Sequence, residues 1–136
     1  MKAHLIFYVS DQKASALFYA RTLAIAPQLD VPGMTEFRLG PGAVLGLMPA
    51  AGIKRLLGDR LPDPGLAAGV PRAELYLVTD DPRAYHQRAL DGGAQELSPL
   101  APRDWGHEAA YSLDRDGHVL AFARESRTAK PPQETA

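Results

Sequence analysis

Two stretches of this sequence share one design: His4-Leu-Ile-Phe-Tyr-Val-Ser-Asp11 and, seventy positions later, Glu74-Leu-Tyr-Leu-Val-Thr-Asp-Asp81. Each is a short run rich in β-branched and aromatic residues, which is typical of a strand. Each ends in an acidic side chain suited to cap the helix-like segment that follows, residues 12–23 in one case and 82–90 in the other. The pattern predicts two strand–helix units, the first with Ala14, Leu17 and Phe18 facing the core.

The repeat continues through the second part of each half. Residues 35–47 and 109–122 each read as strand, glycine-containing turn and strand, and Gly42 aligns with Gly117. The acidic turn at residues 114–117 is assigned to structure, because aspartate and glycine favour a tight hairpin. The residues therefore predict one α+β domain made of two similar βαββ-type halves.

Bulk composition excludes several classes of protein. The chain has 136 residues, 15 basic and 16 acidic side chains, and no cysteine. The balanced charge argues against nucleic acid and anionic lipid as partners. The N-terminus runs directly into the first strand with no apolar segment of signal-peptide or membrane length. We therefore expect no nucleic-acid partner, no membrane association and a cytoplasmic location.

The organisation of the chain follows from the repeat. We predict a single domain over residues 1–125 and a polar, disordered tail over 126–136. Within the domain, module one spans residues 1–50, a proline-rich connector spans 51–70 with a short helix near Ile53–Leu57, and module two spans 71–125.

Strand alternation divides each opening strand into two faces. In the first strand Leu5, Phe7 and Val9 share the face expected under the helix, which leaves His4, Ile6 and Tyr8 on an open face. By the repeat, Glu74 and its alternate neighbours lie on the corresponding face of the second half. An imidazole and a carboxylate at equivalent positions suit a divalent cation. The alternative is that His4 is a solvated strand end and Glu74 a surface carboxylate.

The motifs at the two ends resemble a known family. His-x-x-x-x-Val-x-Asp-(x)6-Phe-Tyr from His4 to Tyr19, and Trp-Gly-His-(x)3-Tyr-(x)2-Asp-x-Asp-Gly-His from Trp105 to His118, are similar to the vicinal oxygen chelate superfamily. That group contains glyoxalase I, bleomycin-resistance proteins, fosfomycin-resistance enzymes and extradiol dioxygenases. The resemblance covers residues 3–125. It implies two βαβββ modules that form an incomplete eight-stranded barrel around a cavity, and a homodimer.

The resemblance also indicates where a metal would bind. Carried over residue by residue, the four metal positions become His4, Gly46, Glu74 and Ala121, and two of these have no ligand atoms. This implies a degenerate site with no cofactor, or with a weakly held divalent ion such as zinc, nickel, manganese or iron.

A carboxylate can return to the site from a neighbouring strand. If the hairpin turns about Pro41, Glu36 lies across from Gly46 and on the same face. If the turn centres between Pro41 and Gly42, Glu36 points to the opposite face. The sequence leaves both pairings open.

Two functional interpretations follow. In the first, the protein binds a small organic molecule in its cavity, and an apolar lining suits an aromatic or amphipathic ligand. In the second, it is a divalent-metal-dependent lyase, isomerase or dioxygenase that uses His4, Glu74 and Glu36. Trp105 either stacks on a ligand or fills the core, and His107 either acts at the site or is solvated in a loop, as His86 is expected to be on its helix. The candidate ligand-binding residues are Tyr8, Met48, Tyr76, Trp105 and His107.

Overall fold

The structure is a computed structural model that describes residues 1–126, so the predicted disordered tail lies, beyond Ser126, outside the described residues. These residues form eight strands and three α-helices. In chain order they are β1 (Ala3–Val9), α1 (Gln12–Leu23), β2 (Leu29–Val31), β3 (Met34–Gly40), β4 (Ala43–Pro49), α2 (Ala50–Leu57), β5 (Glu74–Val78), α3 (Pro82–Asp91), β6 (Gln95–Pro102), β7 (His107–Leu113) and β8 (Val119–Glu125). None of the helices within residues 1–126 is long and apolar enough to span a membrane.

The strands make two four-stranded mixed sheets with the same topology, β1-β4-β3-β2 and β5-β8-β7-β6. In each sheet the opening strand pairs in parallel with the last strand, and the other pairs are antiparallel. The chain divides into two compact units, residues 1–70 with 115–117, and residues 71–114 with the chain from His118 onward. The predicted α+β class and the two βαβββ modules are confirmed.

The residue pattern did not indicate the second strand of each module, which is β2 in the first and β6 in the second. Both lie at the edge of their sheet. Strand β2 has only three residues, and β6 contains Pro99 and Pro102. Proline cannot donate to a strand ladder, so it is confined to edges, and a proline-containing run does not read as a strand. Only the family resemblance supplied these two strands.

In the first unit, α1 packs against the face of the sheet that carries Phe7 and Val9, both 1% exposed. Asp11 caps the helix, because its Oδ1 accepts a hydrogen bond from the backbone N–H of Ala14 at 3.0 Å. The predicted core stripe is wrong: Leu17 is 66% exposed, and the buried residues are Ser15, Tyr19, Thr22 and Leu23. Apolar residues occur all round this helix, so their spacing does not select one face.

In the second unit, α3 begins at Pro82 and is capped by Asp81, whose Oδ1 accepts from the N–H of Ala84 at 3.2 Å. The prediction that His86 is exposed on this helix is wrong. It is buried, and its Nε2 lies 2.8 Å from Oε2 of Glu96. The carboxylate satisfies one ring nitrogen of a side chain that faces the sheet, which is what makes its burial tolerable.

The tip of the β7–β8 hairpin groups with the first unit. Asp116 accepts from the N–H of Ser10 at its Oδ1, 3.0 Å away, and its carbonyl accepts from the N–H of Gly69 at 2.9 Å. Gly117 adopts φ +89°, and a Cβ built on it would lie 2.5 Å from the carbonyl carbon of Gly69. The acidic turn therefore has the structural role that its sequence predicts.

Candidate functional site

The register of the first sheet settles where Glu36 lies. Strands β3 and β4 pair with Thr35 opposite Leu47 and Glu36 opposite Gly46, and the pairing shifts only between Arg38 and Gly40. Gly46 is also the partner of Ile6 on β1. The pairing about Pro41 is therefore confirmed, and Glu36 lies on the open face with His4 and Ile6.

His4 and Glu36 come together on this face. The His4 Nδ1 atom lies 3.6 Å from Oε2 of Glu36, and the two side chains are 38% and 18% exposed. The other carboxylate oxygen, Oε1, accepts a hydrogen bond from the side-chain amide of Gln28 at 3.0 Å. Glu36 is thus oriented by one neighbour and directs its second oxygen toward the imidazole.

These two donors do not fit the four-ligand site that the resemblance implies. Gly46 has no side chain, and a Cβ there would lie 3.2 Å from both Ile6 Cγ1 and Met34 Sδ, so neighbouring side chains occupy the space of a ligand. Within residues 1–126, no group of three or more histidine and acidic side chains is placed to hold a metal ion. Glu74, the counterpart in the second unit, is exposed at the start of β5.

The open face of the second sheet has a different character. Tyr76 and Tyr111 flank Ala121 across three adjacent strands, since Ala121 is the register partner of both. Ala121 is fully buried although its side chain is only a methyl group. The two phenol rings therefore lie on either side of a buried methyl group, whereas the first sheet has a glycine at the equivalent place.

Three of the predicted ligand-binding residues form a hydrogen-bonded chain on this face. The indole Nε1–H of Trp105 donates to the hydroxyl oxygen of Tyr76 at 3.0 Å. The same hydroxyl lies 2.5 Å from Nδ1 of His107, and the Tyr76 and His107 rings stack with centroids 5.7 Å apart and planes 25° apart. Trp105 is 53% exposed, so it does not fill the core. We call Trp105, Tyr76 and His107 the aromatic relay.

Tyr111 is a member of this face that the sequence analysis did not select. Burial raises the pKa of its phenol, and the nearby charge of Glu74 and the Tyr76 phenol raise it further, whereas Arg103 lowers it. The guanidinium of Arg103 lies 5.1 Å from the Tyr111 ring centre. Tyr111 is therefore a protonated hydrogen-bond donor near neutral pH. The signal that could have found it is the β7–β8 register, which places it beside Ala121.

Tyr8 and Met48, the other two candidate ligand-binding residues, are register partners on β1 and β4 of the first unit. Both are half-buried. The first unit also has a cavity of about 490 Å³ on its opposite side, between α1 and the β2 segment. Its wall includes Ala16, Leu17 and Val31, and none of the predicted site residues lines it.

Comparison with known proteins identifies the family to which this architecture belongs. The sequence matches the family model of the Glyoxalase/Bleomycin resistance protein/Dioxygenase superfamily over residues 3–122. The chain belongs to this superfamily. The family assignment covers both modules and both open faces.

Solved structures agree with the assignment at the level of the fold. A glyoxalase/bleomycin resistance protein/dioxygenase from Nocardioides is 22% identical, covers 98% of this chain and 88% of its own, and superposes with a TM-score of 0.74. A glyoxalase-related enzyme from Fulvimarina pelagi is also 22% identical, with coverages of 92% and 88% and a TM-score of 0.76. A family enzyme from Burkholderia phytofirmans PsJN is 12% identical, with coverages of 90% and 97% and a TM-score of 0.74. The search of curated proteins found no match.

Proposed function

We propose that this superfamily member binds a small aromatic or amphipathic organic molecule against the open face of its second module, and that its metal site is degenerate. The observation that carries the proposal is the aromatic relay. Binding sites for small molecules combine apolar and aromatic walls with a few fixed polar groups. The relay supplies an exposed indole, a stacked phenol–imidazole pair and a defined hydrogen-bond chain in one place.

The residues next to the relay support binding in the same place. Ala109, Ala121 and Ala123 supply only methyl groups along the centre of the sheet, and Tyr76 and Tyr111 flank that strip. The three alanines are fully buried, so a planar ring is expected to stack on the more exposed aromatic groups beside them, above all Trp105. The phenol of Tyr111, kept protonated, adds a donor beside the strip.

The donor set of the first module supports the degenerate metal site. His4 and Glu36 are two donors where a structural or catalytic zinc site uses three or four protein ligands. One oxygen of Glu36 is already engaged by Gln28. A two-donor set of this kind holds a divalent ion weakly, so binding of the organic molecule is proposed to be independent of metal.

The test is ligand-induced stabilisation with matched tyrosine variants. The melting temperature of the wild-type protein is measured against a panel of aromatic and amphipathic compounds, with and without EDTA. Tyr76→Phe removes the hydroxyl at the centre of the relay. The matched control is Tyr85→Phe, which removes a hydroxyl from a tyrosine on α3 whose ring packs against Phe122. We expect stabilisation that EDTA does not change, that Tyr76→Phe weakens and that Tyr85→Phe retains. Stabilisation that EDTA abolishes would overturn the proposal.

A metal-dependent lyase, isomerase or dioxygenase is the second candidate, favoured by one observation. Glu36 takes the open-face position opposite Gly46 and points its Oε2 at His4. Titration calorimetry with Zn²⁺, Ni²⁺, Mn²⁺ and Fe²⁺ tests it. Micromolar binding that is lost in His4→Ala, Glu36→Ala and Glu74→Ala would favour the enzyme. No heat of binding in the wild-type protein would dismiss it.

The family resemblance also implies a homodimer, which we retain as part of the proposal. Sedimentation velocity over a range of concentrations tests it directly. A single species of twice the chain mass of 14.7 kDa is expected. A single species with the mass of one chain at all concentrations would contradict the proposed homodimer.

A further inference from the structure

The chemistry of Trp105 fixes the direction of one hydrogen bond in the aromatic relay. An indole nitrogen is a donor only, so the Trp105 Nε1–H must donate and the Tyr76 oxygen must accept. The hydroxyl of Tyr76 then keeps one proton to donate. Its only other partner among residues 1–126 is Nδ1 of His107, 2.5 Å away.

If Tyr76 donates this proton to His107, the tautomer of His107 follows. An Nδ1 atom that accepts from Tyr76 carries no proton, so the neutral imidazole carries its proton on Nε2. The other neutral tautomer, with its proton on Nδ1, would instead donate from Nδ1. The Tyr76 oxygen would then accept from both neighbours and its own proton would have no partner in the relay. Pairing of the Tyr76 proton within the relay therefore favours the tautomer that carries its proton on Nε2.

The Nε2–H of His107 has no hydrogen-bond partner in the part of the chain that the structure describes. The residue is half-buried, and its ring stacks on Tyr76 on the open face of the second sheet. A donor whose ring is oriented by a hydrogen bond and a stacking contact to Tyr76, and which has no acceptor of its own, is suited to a ligand. It can recognise only a group that accepts a hydrogen bond.

We infer that His107 selects ligands that carry a carbonyl-type oxygen on an aromatic ring, and that Tyr76 and Trp105 act as positioning residues that hold its Nε2–H tautomer. The inference rests on the proposed function, because it names the chemistry of the ligand at the same face. Tyr76 sets which ring nitrogen is the donor, and the exposed indole of Trp105 provides a surface for the ligand ring.

The tautomer is tested without any ligand. Long-range ¹H–¹⁵N correlation spectra distinguish the two neutral tautomers of a histidine ring, and His107 is assigned by its loss in His107→Gln. We expect the Nε2–H form in wild-type protein and in Tyr85→Phe, and a mixture of tautomers in Tyr76→Phe. An Nδ1–H form in the wild-type protein would overturn the inference and leave ligand binding itself untouched.

Selectivity is tested with acetophenone and ethylbenzene, which differ only in a carbonyl in place of a methylene group. Affinities are measured by chemical-shift titration. One added neutral hydrogen bond corresponds to about a five-fold preference for acetophenone in the wild-type protein. His107→Gln keeps an N–H donor near the Nε2 position and should retain part of the preference, whereas His107→Phe should abolish it.

The outcomes separate the two proposals. If acetophenone and ethylbenzene bind equally well to the wild-type protein, the assignment to His107 is wrong and the proposed binding function stands. If His107→Phe keeps the five-fold preference, the donor lies elsewhere on the face. If neither compound binds at millimolar concentration, the inference falls together with the proposed function.

Discussion

The two modules share a backbone plan and differ on their open faces. Ile6 and Tyr76 occupy equivalent places on the opening strands, and Gly46 and Ala121 occupy the places beside them on the last strand. The first module sets Ile6 against a glycine and places His4 and Glu36, 3.6 Å apart, nearby. The second sets a tyrosine against an alanine and builds a hydrogen-bonded aromatic cluster. The repeat therefore fixes the scaffold, and the few side chains that break the repeat give the two faces different chemical groups.

The largest expected difference between the two modules is in the stability effect of a substitution in the hairpin that ends each module. Gly117→Ala requires a side chain at φ +89° and puts Cβ against the Gly69 backbone, whereas Gly42→Ala meets only Met1 O at an ordinary 3.5 Å. We expect Gly117→Ala to lower the free energy of unfolding by about 2 kcal/mol or more, and Gly42→Ala to change it by less than about 0.5 kcal/mol. Urea denaturation measures both. Equal effects would mean that the two hairpins are not distinguished by this contact.

The next largest effect on stability is expected at the aromatic relay of the second module. Tyr76→Phe removes a hydroxyl that joins two side chains, and we expect it to lower the free energy of unfolding by about 1 kcal/mol, the usual contribution of a hydrogen bond. The fluorescence of Trp105, the only tryptophan, should also change, because its indole N–H loses its acceptor. Tyr85→Phe is the control, with no change in emission. An unchanged spectrum in Tyr76→Phe would show that the relay does not form in solution.

Tyr111 gives a pH effect confined to the second module. Its pKa is raised by burial, with Glu74 and Tyr76 adding to the shift, so the folded protein favours the protonated phenol. That contribution to stability is fully present below the pKa of the unfolded chain, about 10, and is lost as the pH rises through the folded pKa. Titration of ¹³Cζ-labelled tyrosine should place Tyr111 above its ordinary value. Glu74→Gln should lower the Tyr111 pKa. An unchanged pKa would show that the charge of Glu74 does not act on Tyr111.

The smallest effect on stability is expected at the contact between His4 and Glu36 in the first module. His4 and Glu36 are 3.6 Å apart and partly exposed, so their attraction is screened by solvent. Glu36→Gln should change the free energy of unfolding by no more than about 0.5 kcal/mol at pH 6 and less in high salt. A loss above about 1.5 kcal/mol would mean that the pair is a structural element of the first module and not a remnant of a site.

Local chemistry was enough to predict the helices and the hairpins. Helix α1 begins and ends at the predicted residues because Asp11 is a strong cap, and the Asp114 to Gly117 turn follows from its residue types. The position of Glu36 followed from counting residues about Pro41, because strand register alternates faces with a period of two. The predicted connector helix is also present, as α2, although it begins three residues earlier, at Ala50.

The remaining features depend on tertiary contacts that the sequence pattern does not encode. The core face of α1 was missed because its apolar residues surround the helix, and burial of His86 depends on Glu96, which lies on another element. The aromatic relay joins a strand residue to two residues some thirty positions away. Its members were individually predictable as candidates, but their order and hydrogen-bond direction required their positions in space.

The indole N–H resonance of Trp105 gives the most direct test of ligand binding at the second module. The chain contains one tryptophan, so its signal in a ¹H–¹⁵N spectrum needs no further assignment. Titration with acetophenone should move this signal in a saturable way, equally with and without EDTA. A signal that stays in place while other resonances shift, or that moves only when a divalent metal is added, would contradict the account.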